Sequence, residues 1–99
     1  MSDGDRQRID KWLVYARAVK SRSLAARLVE GGHVRVNRAK ISDPSRPVRP
    51  GDVLTVALES GVFVWRILAL GDRRGPATEA RLLYEEVAAG GGLETAQDG

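Results

Sequence analysis

Lys20-Ser21-Arg22-Ser23-Leu24-Ala25 opens a helix, and Glu30-Gly31-Gly32-His33-Val34-Arg35-Val36-Asn37 closes it and begins a strand. A Ser21 hydroxyl can accept from a free backbone N–H of the first turn, so Ser21 reads as the cap. Leu24, Ala25, Leu28 and Val29 then supply one apolar face. Gly31-Gly32 stops the helix, because a glycine just past the last turn takes the left-handed conformation at little cost. From His33 the period falls to two: His33 out, Val34 in, Arg35 out, Val36 in, with Asn37 as a turn former.

Upstream, Ile9, Leu13 and Ala16 recur at helical spacing, with Trp12 and Tyr15 beside them. Asp10 suits a cap or a first-turn acid of this helix, and Arg17 closes it before the break at Val19-Lys20-Ser21. Downstream, Ala39–Ile41 can return as a short partner strand, and Asp43-Pro44-Ser45-Arg46-Pro47 is a loop. Pro50-Gly51-Asp52 is a tight turn, followed by strands over 53–58 and 62–70 around Glu59-Ser60-Gly61. Pro76 opens a last helix that the pattern carries through Val87, with Ala80, Leu83, Tyr84 and Val87 on one side. The expected class is α+β: two N-terminal helices packed on a small, mostly antiparallel sheet, plus a short C-terminal helix. The domain spans 8–70, with a loop and helix at 71–88 packed on it and flexible tails at 1–7 and 89–99.

Charge divides the chain. Positions 1–50 hold twelve Lys and Arg against five acids, a balance of +7, whereas positions 51–99 hold four against eight, a balance of −4. One end is thus built to meet a polyanion, and phosphate backbones are the commonest partner for such a surface. The 99 residues suit one domain with a modest core. With no cysteine, disulfides, thiolate nucleophiles and sulfur-bound metal sites are excluded. The acidic start Met1-Ser2-Asp3-Gly4-Asp5 shows no signal peptide, and the apolar runs are too short to span a bilayer. A cytoplasmic monomer without membrane, small-molecule substrate or cofactor is expected.

The candidate binding set is Arg8, Lys11, Arg17, Lys20, Ser21, Arg22, Arg27, Arg35, Asn37, Arg38 and Lys40. Taken singly, such cations are usually a solvated face; the cluster, scarcely interrupted by acids, favours a polyanion. His33 lacks a second imidazole or carboxylate pair, and Glu85-Glu86 reads as a solvated helix face rather than an acid/base pair. Trp12 and Trp65 read as core. Gly90-Gly91-Gly92 has no following Lys, Ser or helix and is not a phosphate loop. No nucleophile, base and orienting acid assemble, so no catalytic or metal residue is assigned.

Arg8-Ile9-Asp10-Lys11-Trp12-Leu13, followed by the two segments quoted first, resembles the alpha-L RNA-binding motif, the module named after ribosomal protein S-four, over about residues 8 to 58. Arg73-Arg74-Gly75-Pro76-Ala77-Thr78-Glu79-Ala80, running into Leu82-Leu83-Tyr84-Glu85-Glu86, is similar to the C-terminal signature of the small bacterial ribosome-associated heat-shock group. The resemblance implies non-catalytic binding of structured ribosomal RNA on the large subunit, with tRNA as a possible contact, in recycling stalled subunits that carry peptidyl-tRNA. It places Arg8, Lys11, Arg17, Lys20, Arg22, Arg27, Arg35, Asn37 and Lys40 at RNA-facing positions and gives Asp10 a structural pairing or capping role. That group often continues into a basic C-terminal extension, where this sequence has an acidic, glycine-rich stretch, which weighs toward weaker ribosome affinity or a narrower role. The alternatives are a DNA-binding helix-turn-helix regulator and a generic RNA-binding or adaptor module.

Overall fold

A computed structural model describes residues 6–90. The elements run β1 (Gln7–Arg8), α1 (Ile9–Tyr15), α2 (Arg22–Glu30), β2 (Val34–Val36), β3 (Ala39–Lys40), β4 (Pro47–Val48), β5 (Val53–Leu58), β6 (Gly61–Ile67), α3 (Ala77–Ala80), a 3-10 turn (Arg81–Leu83) and β7 (Tyr84–Gly90). Five strands form one antiparallel sheet in the order β3-β2-β5-β6-β7, and β1 pairs with β4 in a separate two-stranded ribbon. The α+β class read from the sequence holds, with both N-terminal helices packed on the sheet.

The helical stripes dictate what is buried. Ile9, Trp12 and Leu13 of α1, and Ala25 and Val29 of α2, are fully enclosed with Val34, Leu54 and Val56 of the sheet. Full burial of such aliphatic side chains stabilises by about 1.5–3 kcal/mol each, so this cluster holds helices to sheet. Trp12 and Trp65 are core, as their positions implied. Both helices end in the same backbone device. Gly32, at φ +82°, donates to the Val29 carbonyl at 3.0 Å while His33 donates to Leu28 at 3.1 Å, a Schellman motif. Arg17, at φ +64°, fills the corresponding place after α1, donating to Val14 while Ala18 donates to Leu13.

The first helix has no side-chain cap; its leading amides are met by the loop before β4, with Ile9 N–H donating to the Arg46 carbonyl and Asp10 N–H to the Pro44 carbonyl. The N-terminal segment is also stitched to the second half of the chain. Gln7 exchanges two hydrogen bonds with the Gly71 backbone, Trp12 Nε1 donates to the Ala69 carbonyl at 3.0 Å, and Arg17 Nη1 donates to the Gly75 carbonyl at 2.8 Å. Gly71 is glycine for space: a Cβ there would lie 2.7 Å from the Tyr15 Cβ.

The last helix departs from expectation. It ends at Ala80, passes through one 3-10 turn and becomes β7, which pairs with β6 from Ile67↔Tyr84 to Val62↔Gly90. Between Val64↔Ala88 and Trp65↔Glu86 the register shifts, leaving Val87 as the extra residue of a β-bulge. Pairing to an available sheet edge outweighs the intrinsic helical preference of this Ala- and Glu-containing segment, as tertiary context commonly overrides propensity. Glu85 and Glu86 are therefore strand neighbours, both exposed, and Glu85 pairs with Arg66. The second long strand stops at Ile67 instead of Leu70, because Leu68 and Ala69 both donate to the Leu83 carbonyl. Gln7, Ala89 and Gly90, expected in the tails, belong to β1 and β7, while tail positions 1–5 and 91–99 lie outside the described residues.

Candidate nucleic-acid interface

Asp10 organises the first group of cations. Only 3% exposed, it is the one buried charged residue among those described. Its Oδ1 accepts from Arg8 Nε at 3.1 Å and from Lys11 N–H at 2.7 Å; its Oδ2 accepts from Arg8 Nη2 at 2.9 Å and Arg22 Nη2 at 3.3 Å. Burial would push this carboxyl up, but the hydrogen bond from Arg8 and the charges of Arg22 and Arg8 more than offset it, holding it below the usual carboxylate range. Two guanidinium groups from separate elements are thereby fixed by one carboxylate, an excess of one positive charge. Their side chains stay 46% and 50% exposed. Asp10 is thus the pairing acid that the resemblance implied and, as α1 begins at Ile9, a first-turn acid rather than the cap.

Arg22 opens α2, and Ser21 caps that helix: its hydroxyl accepts from Leu24 N–H at 3.2 Å. A dipole end and a fixed guanidinium coincide there. Lys20, Arg27 and His33 line a different feature, an open groove of about 960 Å³ between α2 and the β5–β6 hairpin, floored by Val19, Leu24, Leu28 and Leu58.

The third group sits on the β2–β3 hairpin. Arg35 and Lys40 are directly opposite across the strands and both exposed, so two like charges share one cross-strand pair. Such a pair costs stability in isolation. Asn37 and Arg38 form the two-residue loop with φ +51° and +76°, the geometry of a type I′ turn. Asn suits the first position; the second normally wants glycine, and Arg38 occupies it. The Arg38 carbonyl accepts from Arg35 Nη1 at 3.4 Å. Lys40 lies along Gly32, where a Cβ would come 2.6 Å from its Cε.

Besides Ser21, two members of the predicted set have internal duties. Asn37 donates from Nδ2 to Asp52 Oδ1 at 3.1 Å and accepts at Oδ1 from Val53 N–H at 3.0 Å, pinning the hairpin tip to β5. Arg17 reaches across to Gly75. Lys11 is half-buried on α1 beside the Asp10 centre. Reading the sequence alone missed Asp52. It accepts from Asn37 and, through Oδ2, from Arg49 N–H at 3.1 Å, and the available signal was its place after Pro50-Gly51.

Residues 7–54 match the family model of the S4 domain. Heat shock protein 15 of Escherichia coli (strain K12) is 42% identical over 81 residues, which cover 82% of this chain and 60% of that protein. The heat shock protein 15 homolog of Haemophilus influenzae is likewise 42% identical over 81 residues, covering 80% of this chain and 60% of its own. The chain thus spans about three fifths of the length of these curated relatives. A solved trimeric structure of Vibrio cholerae heat shock protein 15 superposes with a TM-score of 0.78 at 40% identity, covering 84% of this chain and 83% of that one. With the S4 match over the basic half and 40% identity to the Vibrio protein across more than four fifths of both chains, the chain belongs to the S4-domain family, in the group of heat shock protein 15.

Proposed function

We propose that this protein binds structured ribosomal RNA on the large ribosomal subunit, without catalysis, and acts in heat-shock-linked recycling of stalled subunits that carry peptidyl-tRNA. The observation that carries the reading is the Asp10 centre. One buried carboxylate holds the Arg8 and Arg22 guanidinium groups half-exposed at the start of α2, where phosphate oxygens can take their remaining donors. Lys20, Arg27, Arg35, Arg38, Lys40 and Lys11 extend the positive field around it, and Ser21 and Asn37 shape the elements that carry them. Phosphate-directed binding of this kind reads the shape of a junction or helix end rather than a base sequence, as A-form RNA favours.

Membership in the heat shock protein 15 group supports the ribosomal context, and no described helix is long and apolar enough to cross a membrane. The role is cytoplasmic on this reading, and the RNA-bound unit is a single copy, although the Vibrio relative was solved as a trimer. Sedimentation of the tagged protein in a lysate tests the whole: comigration with free large subunits supports it. Even spreading over all RNA fractions reduces it to a generic RNA binder, and a preference for duplex DNA over folded ribosomal RNA overturns it. Light scattering of the complex with an RNA fragment separates one copy from three.

A further inference from the structure

Beyond the basic groups, the second half of the chain carries an aromatic cleft. Phe63, Trp65 and Tyr84 line it together with Arg81, in two spaces of about 300 and 460 Å³ that share these four side chains; Arg17 borders the smaller and Glu86 the larger. Tyr84 stacks on Trp65 with ring centres 4.2 Å apart, and Phe63 tilts against it at 5.9 Å. Trp65 is 6% exposed, yet its indole N–H has no acceptor among the described residues, whereas the Trp12 indole donates to Ala69. A buried donor left without a partner is uncommon and calls for an explanation. Arg81 is exposed and makes no ion pair among the described residues.

We infer that this cleft takes one unpaired nucleotide: its base stacks on the partly exposed Phe63 and Tyr84 rings, a base carbonyl accepts from Trp65 Nε1, and its phosphate meets Arg81. Base stacking on aromatic rings tolerates any base, the indole supplies a donor that a carbonyl fits, and the guanidinium supplies the charge. Engaging the N–H takes a shift of the Tyr84 or Phe63 ring, within ordinary side-chain motion. Arg17 places the cleft beside the end of α1, so a strand leaving the basic groups can reach it. The inference deepens the RNA reading and rests on it for its biological meaning, but its test does not need a ribosome.

The chain has two tryptophans, hence two indole cross-peaks in a proton–nitrogen correlation spectrum, and Trp12, whose N–H is already held by Ala69, is the reference peak. Titration of the full chain with uridine 5′-monophosphate should move the Trp65 peak saturably and well beyond the Trp12 peak, which packs against the Tyr84 and Trp65 rings and senses the ligand only through them. Arg81→Gln should weaken that response roughly fivefold, with the Trp12 peak of the ligand-free variant at its wild-type position showing that the fold is intact. An unmoved Trp65 peak, an equal response to ribose 5-phosphate, or an unchanged response in Arg81→Gln overturns the site. Salt-dependent binding of ribosomal RNA, measured in parallel, separates the two readings. Its persistence without a Trp65 response removes the cleft alone, and its absence beside a clear Trp65 response removes the ribosomal function alone.

Discussion

The two halves of this molecule treat their arginines differently. After Asp52, Arg66 pairs with Glu85 at 2.9 Å and Arg73 with Glu79 at 2.8 Å, so two of the four arginines there have an acid each, with both partners exposed. Before it, Arg8 and Arg22 share the buried carboxylate of Asp10, and Arg35 and Lys40 face each other across the β2–β3 hairpin. Paired surface charges of the first kind contribute little and advertise nothing. Charges of the second kind leave positive field uncancelled and, at the hairpin, cost stability unless an anion offsets them. Position, rather than number, distinguishes a binding face from a solvated one.

The comparison can be broken most forcefully at Asp10. Asp10→Ala should destabilise the fold by about 2–3 kcal/mol in denaturant melts, because two guanidinium groups lose their anchor beside a buried site. Since the folded carboxyl titrates below its ordinary value, its contribution is complete above the unfolded pKa of about 3.9 and is lost as pH falls through the folded one. The wild-type melt should therefore weaken more steeply below pH 4 than that of the Asp10→Ala variant. Gly71→Ala comes next, at about 1–3 kcal/mol, since its Cβ meets Tyr15 and forces apart the contact between the halves. Ser21→Ala should cost about 1 kcal/mol through the lost cap of α2. Arg38→Gly sharpens the contrast from the other side. Relief of a positive φ should raise stability by about 0.5–1 kcal/mol while RNA affinity falls, measured by thermal melts and filter binding on one preparation. A gain in both would deny Arg38 a binding role.

Much of the fold was legible where one residue decides a local geometry. Ser21 announced a cap, Gly31-Gly32 a stop, Val34 and Val36 an inward-facing alternation, and Asn37 a turn, and each stands in the structure. The failure at 81–90 has an equally specific cause. Val87 is the extra residue of a bulge, so alternation is interrupted where it would have shown, and Ala80, Leu83, Tyr84 and Val87 imitate a helical face. The ribbon of β1 and β4 was hidden for a different reason: two residues pairing across about forty carry no local period. The candidate site was legible as a list of cations but not as an arrangement. Sequence could not tell that Asn37 and Arg17 spend their side chains on Asp52, Val53 and Gly75, since those partners come from distant positions.

The salt dependence of binding to large-subunit ribosomal RNA tests the central claim most directly, compared among the wild type, Arg22→Gln and Arg66→Gln. Each phosphate contact removed should flatten the slope of log affinity against log salt by about one unit. Arg22→Gln should show that loss together with weaker binding, and Arg66→Gln should match the wild type in both. Equal slopes for all three proteins, or a loss confined to Arg66→Gln, would contradict the assignment of the first half as the RNA-facing side.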